Sequence, residues 1–359
     1  MTKKKFSIIM PLFNHELYVG DAINSVLNQK YSNFELIICN DGSTDNSYEI
    51  AKSFNDDRIK FINKPNAGTV SALNACILQS SGEYICWLSS DDYFEINKLD
   101  YHLYAHNNSN SLVSVAPSAT FKNENFTNID YKIKSGLSRM FSFFEKNPIN
   151  GLAICAHRNM YLNYGLFNSR YKYSHDYERW LCFLKYEEPV YIDGAPQSFT
   201  RLGTSFVEDN NPFILGVLDN IKVLVRLMSG GLEYFIPNKF TINDDSLVYI
   251  LKYFLILSHS SNNYLFRYGL SEIYIKSLCS FIIKFHATTV FNDLINSNFY
   301  DTSEDVRKIM NECKNRIETN DIKQDPFLFF NFLKSLSVAG GLSEKEKVGV
   351  SYYINDCFY

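Results

Sequence analysis

A chain of 359 residues, 46% hydrophobic and 21% charged, has enough apolar material for a full core and for two domains. Its formal net charge of -4, with no Lys or Arg block, excludes the electrostatic footprint of a nucleic-acid-binding protein. The basic start "MTKKK" precedes an apolar run that Pro11 and Asn14 soon interrupt, so no signal peptide is expected and the cytoplasm is the expected compartment.

Eight cysteines are present, and Cys39, Cys86, Cys155 and Cys182 all lie within apolar segments with no C-x-x-C pair. They read as small core residues, not as a zinc site or a disulfide framework.

The first two hundred residues alternate β-rich runs with helical patterns. "FSIIMPL" (6–12), "FELIICN" (34–40), "IKFI" (59–62) and "YICWLS" (84–89) are runs of the kind buried on both faces of a parallel sheet. Between the first two, "HELYVGDAINSVLNQ" places Tyr18, Ala22 and Val26, and Val19, Ile23 and Leu27, at helical spacing. "STDNSYEIAKSF" offers Ser43 or Thr44 as a cap with Asp45 in the first turn, and a third helical pattern, "GTVSALNACILQS", follows Gly68. The order βαβαβαβ predicts an open parallel sheet with helices on both faces, whose ligands sit at the carboxyl ends of the strands. There the polar punctuation falls: "PLFN" after the first run, "NDGSTD" after the second and "SSDD" after the fourth.

Beyond residue 110, "SLVSVAPSATF" and "LAICAH" read as strands, and "LSRMFSFFEKN" and "DYERWLCFLKY" as helices. From about residue 212, "PFILGVLDNIKVLVRLM", "DSLVYILKYFLILS" and "SEIYIKSLCSFIIKF" are helical in period and rich in Tyr, Phe and Lys. No apolar run approaches the roughly 20 residues of a membrane-spanning helix.

"SIIMPLFNHELYVGDAINSVLNQKYSNFELIICNDGSTDNS", followed by "NAGTVSALNACILQSSGEYICWLSSDDYF", resembles the nucleotide-sugar-binding half of family 2 glycosyltransferases over about the first 205 residues. The resemblance implies a Rossmann-like α/β domain of GT-A fold, that of the nucleotide-diphospho-sugar transferases, over 1–211; the helical period beyond it predicts a second, mainly helical domain over 212–359. By the same resemblance, Pro11, Phe13 and Asn14 line the base and ribose, and Asn40 and Asp41 sit where the base donates a hydrogen bond. Many members carry Asp where this chain has Asn40, whose amide oxygen can also accept. Lys64, in "NKPNAG", is a candidate for a further nucleotide contact. Asp91 is assigned to the ribose side and Asp92 to Mg2+ or Mn2+, a hard ion that keeps water and phosphate ligands; if both acids leave an extended strand, their side chains diverge. The commoner family form has an acid at the position of Ser89. In "NYGLFNSRYKYSHDYERWLCFL", Asp176 matches the family's general base, with His175 and Glu178 as rivals, and in "FTRLGTSF" Arg201 matches a diphosphate-binding arginine while Gly203 replaces a frequent His.

The expected activity is an inverting transfer from a nucleotide-diphosphate donor, a UDP-sugar, to a hydroxyl of a glycan or lipid-linked glycan in cell-surface polysaccharide assembly, with peripheral contact to the inner face of the cytoplasmic membrane as a further expectation. A dinucleotide oxidoreductase and a nucleotidyltransferase are disfavoured because "MPLFNHE" contains no glycine. A catalytically inactive nucleotide- or glycan-binding scaffold is the alternative.

Overall fold

The predicted apolar runs form the strands of one sheet. In the computed structural model, which describes residues 4–122, 125–129, 149–202, 271–296 and 304–321, residue 147 and short pieces between 219 and 252, β1 (Phe6–Leu12), β2 (Phe34–Asp41), β3 (Ile59–Lys64) and β4 (Tyr84–Trp87) are mutually parallel. Three helices connect them: α1 (Val19–Leu27), α2 (Ser47–Lys52) and α3 (Thr69–Gln79). Every residue of β2 is buried, as a strand covered on both faces requires. Ile8, Ile9, Ile37 and Ile38 are fully buried, each stabilising the fold by about 1.5–3 kcal/mol relative to exposure. On α1 the buried residues are Val19, Ala22, Ile23 and Val26, the stripe its period implied.

The helical cap differs from the expectation. α2 begins at Ser47, and Asp45 Oδ1 accepts the Ser47 N–H at 3.0 Å, while Ser43 and Thr44 are engaged by Asn14 instead.

The chain continues through β5 (Tyr93–Phe94), α4 (Lys98–Asn107), β6 (Val113–Val115), β7 (Ser118–Lys122), β8 (Asn125–Ile129), a 3-10 turn at Gly151–Ala153, β9 (Ile154–His157), α5 (Arg158–Tyr164), α6 (His175–Tyr186), β10 (Val190–Tyr191) and β11 (Ser198–Arg201). The main sheet has the order β10-β6-β9-β4-β1-β2-β3, with β9 antiparallel to both neighbours; a second sheet has the order β5-β11-β7-β8. The chain runs outward from β1 to β3 and returns to the other side of β1 as β4, so the topological switch point lies between β1 and β4.

Two polar clusters anchor the sheet away from that point. Glu35, 2% exposed, accepts from Ser7 Oγ (2.6 Å), Ser81 N (2.6 Å), Lys60 Nζ (2.7 Å) and Lys5 Nζ (3.0 Å). Burial alone would raise its pKa, but these donors overturn that and hold it well below the ordinary carboxylate range. The second cluster is a buried chain of donors. Lys98 Nζ reaches the Leu152 carbonyl (2.9 Å) and His102 Nε2 (3.2 Å); His102 Nδ1 meets Ser114 Oγ (2.7 Å), which meets His106 Nε2 (2.8 Å), and His106 Nδ1 meets the Ser111 carbonyl (3.1 Å). One proton passed along each bond satisfies every atom only if both imidazoles are neutral, and burial lowers both their pKa values, His106 to about 4.

The chain divides into two compact units: residues Met1–Lys132 with Pro148–Asp209, and Ile133–Asn147 with Asn210–Tyr359. The segment 133–147, which contains the helix expected at 137–147, groups with the second unit. That helix lies outside the described residues apart from Asn147. The described part of the second unit includes α7 (Ser271–Lys284), α8 (Thr288–Asn296) and α9 (Glu304–Thr319), with α7 packed on α9 through the fully buried Cys279 and Cys313.

Candidate active site

The crevice arises because β1 outruns β4. Their pairing ends at Ile9 and Trp87, whereas the pairing of β1 with β2 continues to Leu12 and Asn40. This also explains a proline in a central strand. Ile9 carbonyl accepts the last bond from the β4 side, from Leu88 N at 3.1 Å, so the missing N–H of Pro11, two residues on and on the same side, leaves no ladder bond unmade.

The turns after β1 and β2 are laced together across the mouth. Asn14 N donates to Ser43 Oγ (3.1 Å), Thr44 N to Asn14 Oδ1 (2.8 Å), His15 N to Ser47 Oγ (2.7 Å) and Glu16 N to Asp45 Oδ2 (3.0 Å). These bonds hold Asn14 at φ 54°, a left-handed conformation that Asn tolerates better than most residues. Phe13, 38% exposed, lies next to them in sequence. Asn40 and Asp41 lie on the floor and are already engaged: Asn40 Oδ1 accepts Ser43 N (3.2 Å) and its Nδ2 donates to Asn63 Oδ1 (2.7 Å). Asp41 Oδ1 accepts from Lys64 Nζ and from Ala67 N (3.1 Å), so Asp41 and Lys64 form one ion pair. The intervening Gly42 has φ +73°, and a Cβ there would sit 2.7 Å from Asn66 N.

Asp91 and Asp92 do not leave an extended strand as expected. β4 stops at Trp87, and Asp92 N donates back to the Ser89 carbonyl at 3.1 Å, closing a turn. The two carboxylates still diverge, through their partners. Asp91 Oδ1 lies 3.9 Å from His15 Nδ1, whose nitrogen also meets Ser90 Oγ at 2.8 Å. Asp92 Oδ1 accepts Arg201 N at 2.7 Å, and Arg201 Nε donates to the Asp91 carbonyl at 3.1 Å. The Arg201 guanidinium is sandwiched 4.7 Å from the Tyr18 ring and 4.6 Å from that of Phe121. His15, Ser90 and Tyr18 are site residues that sequence reasoning missed; a histidine two positions past the exposed Phe13 was the signal for the first.

Asp91 and Asp92 are 6% and 4% exposed. Burial, then the neighbouring Asp91, pushes the Asp92 carboxyl well above its ordinary value, more than the Arg201 contacts offset. No group of three or more His, Cys, Asp or Glu side chains able to hold a metal occurs among the described residues. The buried Asp92 carboxyl, raised by burial and by the neighbouring Asp91, has the oxygen-donor chemistry that fits a hard divalent ion keeping water and phosphate ligands.

α6 reaches the same edge. Its first residue, His175, lies with its ring centroid 5.7 Å from that of Trp87 and 5.6 Å from that of Phe167, and its Nδ1 meets the Lys172 carbonyl at 3.3 Å. Gly151 makes room for Trp87, since a Cβ there would fall 2.3 Å from the indole. Asp176, in the first turn, accepts its neighbour Tyr177 N at 2.7 Å. Glu178 is committed to Arg179 at 3.0 Å. The structure thus brings Pro11, Phe13, Asn14, Asn40, Asp41, Lys64, Asp91, Asp92 and Arg201 to one sheet edge and the start of α6 beside the end of β4. Gly203 lies outside the described residues.

Residues 7–166 match the family model described as glycosyl transferase family 2. Curated relatives include an uncharacterized glycosyltransferase of Rickettsia typhi, 33% identical over 205 residues that cover 52% of this chain and 60% of the relative. The chondroitin synthase of Pasteurella multocida is 43% identical over 91 residues, 25% of this chain and 9% of that protein. This chain therefore spans about three fifths of the Rickettsia relative and a small part of the synthase. Among solved structures, S. aureus TarS 1-349 matches with a TM-score of 0.55 at 16% identity, over 76% of this chain and 81% of that one. The TarS 1-349 complex with UDP-GlcNAc matches with a TM-score of 0.54 at 17% identity, over 77% and 80%.

Proposed function

We propose that this chain, whose residues 7–166 match the glycosyl transferase family 2 model and form the greater part of a GT-A unit, transfers a sugar from a UDP-linked donor to a hydroxyl of a glycan, with inversion at the anomeric carbon. The observation that carries the reading is the turn holding Asp91 and Asp92, buried at the switch point and clasped by Arg201. A nucleotide diphosphate suits that place once a divalent ion lies between it and the acids, because the cation offsets the repulsion between the like negative charges. UDP as the carrier is supported by the TarS complex, and a glycan acceptor by the similarity to a chondroitin synthase.

The geometry supports the following roles. Phe13 offers a ring face to the base, with Asn14 and Asn40 rigidly held beside it, and Asp41 keeps Lys64 at the pocket floor. Asp92 would hold Mg2+ or Mn2+, with Asp91 toward the ribose, and the ion would supply neutralisation of the leaving diphosphate when bound. Arg201 adds a fixed positive charge at the same place. Asp176 takes the proton of the acceptor hydroxyl as that oxygen bonds to the anomeric carbon, while the bond from that carbon to the phosphate oxygen breaks and its electron pair leaves with the nucleoside diphosphate. Trp87 and His175 wall the cleft behind the reacting centre.

The test is a panel of nucleotide sugars with Mg2+ or Mn2+, read as released nucleoside diphosphate. Turnover with one donor class is expected. Donor binding without turnover across glycan acceptors would overturn the reading in favour of a binding scaffold.

A further inference from the structure

Along the carboxyl edge of the main sheet the order of strand ends is β2, β1, β4, β9, β6, β10. The nucleotide residues occupy the β2 and β1 end and the acids follow β4. Two to three strand spacings farther on, about 10–14 Å, a second cavity opens where β6 and β10 end and β7 and β8 meet. Its volume is about 370 Å³, within the range typical of small-ligand sites, roughly 300–1,000 Å³. Val115, Ser118, Asn128, Tyr191, Asp193 and Pro196 contribute to its lining. β7 and β11 connect it to the acids: their pairing runs from Ser118 with Ser198, at the cavity, to Phe121 with Arg201, which clasps Asp92.

The lining chooses the ligand. Among the described lining residues Asp193 carries the only formal charge, and it is negative, so a second nucleotide or another polyanion is repelled. A tyrosine ring and proline for apolar C–H faces, beside a carboxylate, an amide and a hydroxyl for hydroxyl groups, match the two-sided chemistry of a neutral sugar. The position matches too. A donor lying with its base at β1 and β2 and its diphosphate at Asp91 and Asp92 presents its sugar toward β9, so the remaining edge is where an acceptor approaches.

We infer that this cavity is a distal acceptor subsite that binds a neutral sugar unit of the growing glycan, behind the unit that receives the new sugar. The inference rests on the reading of the edge as a sugar-transfer site. It makes the acceptor an oligosaccharide, and it assigns preference for chain length to Asn128, Tyr191 and Asp193.

The experiment uses the full chain with Asn128→Ala and Asp193→Ala combined; both residues are exposed, so folding is expected to be retained, as circular dichroism checks. Binding to an array of neutral, amino-bearing and acidic oligosaccharides is measured beside release of nucleoside diphosphate from donor with water as acceptor. Wild type should bind neutral oligosaccharides of more than one sugar. The double variant should bind them at least about tenfold more weakly, the scale of one or two lost hydrogen bonds, with donor hydrolysis unchanged and binding by Asp176→Asn retained. Glycan binding that is absent, restricted to acidic chains, or indifferent to the double substitution would overturn the inference. No release of nucleoside diphosphate from any donor, with variant-sensitive glycan binding intact, would instead count against the transfer reading alone.

Discussion

As the proposed metal ligand, Asp92 would carry opposite demands of stability and function. Its folded pKa lies above its unfolded one, so the folded state holds the extra proton and loses stability as pH rises from the ordinary carboxylate value through the raised one. Asp92→Asn removes that cost and keeps an oxygen for Arg201 N, so the ligand-free protein should be more stable at neutral pH by on the order of 1–2 kcal/mol. The same change should abolish the thermal shift that Mn2+ and donor produce in wild type, and that shift should grow with pH over the window in which the acid loses its proton. Differential scanning fluorimetry across pH measures both; an unchanged metal shift in the variant would show that Asp92 is not the ligand. Gly42→Ala is a second residue-scale case. The positive φ and the 2.7 Å approach to Asn66 N should cost about 1–3 kcal/mol and disturb the Asp41–Lys64 floor, which calorimetry with UDP would read as weaker binding. The placement of the acids and of the turns after β1 and β2 was legible in the sequence because each lies within a few residues of its own strand end. Their partners were not: Arg201 N reaches Asp92 across 109 positions, and no local pattern encodes a contact at that separation. The role of His15 was likewise not legible from its position two residues past Phe13 alone, because it arises only where the turn after β1 meets the turn after β4.

At the scale of elements, the two buried polar clusters set the acid limit of the α/β unit. His106, lowered to about 4, must take up a proton that the unfolded chain accepts near 6.5, so stability should fall as pH drops through that interval. Glu35, held well below the usual range, adds a loss at still lower pH, since its contribution is present above the unfolded value and vanishes as it protonates. His106→Asn, which can keep the bond to Ser111, should flatten the first part of that decline in thermal melts; an unaltered pH profile would mean that the relay through Ser114 does not depend on neutral imidazoles. The β1–β4 runs were readable because strands buried on both faces must be continuously apolar. β5, β10 and β11 were not individually predicted, for they are only 2 to 4 residues long and gain their identity from neighbours. The turn at Asp91 and Asp92 was misjudged for a related reason: adjacent acids do not reveal whether the backbone beneath them is extended or folded back.

For the whole molecule, on the proposed reading, the sheet order would convert a sequence of loops into a line of subsites, with the base at β1 and β2, the diphosphate at the β4 turn and the acceptor beyond. No single helix among the described residues is long and apolar enough to cross a membrane. If the helical unit binds a membrane that carries a lipid-linked acceptor, the protein should sediment with anionic vesicles at low salt and be released by high salt; failure to sediment at low salt would count against such contact. The proposal of transfer itself is tested most directly by Asp176→Asn, which keeps the size of the side chain and removes its basicity. With donor and glycan acceptor both saturating, kcat for release of nucleoside diphosphate should fall by roughly 10²–10⁴, while calorimetry shows near-normal binding of donor and metal. Full turnover by that variant, or a defect confined to donor affinity, would contradict the assignment of this edge as an acid–base site for glycosyl transfer.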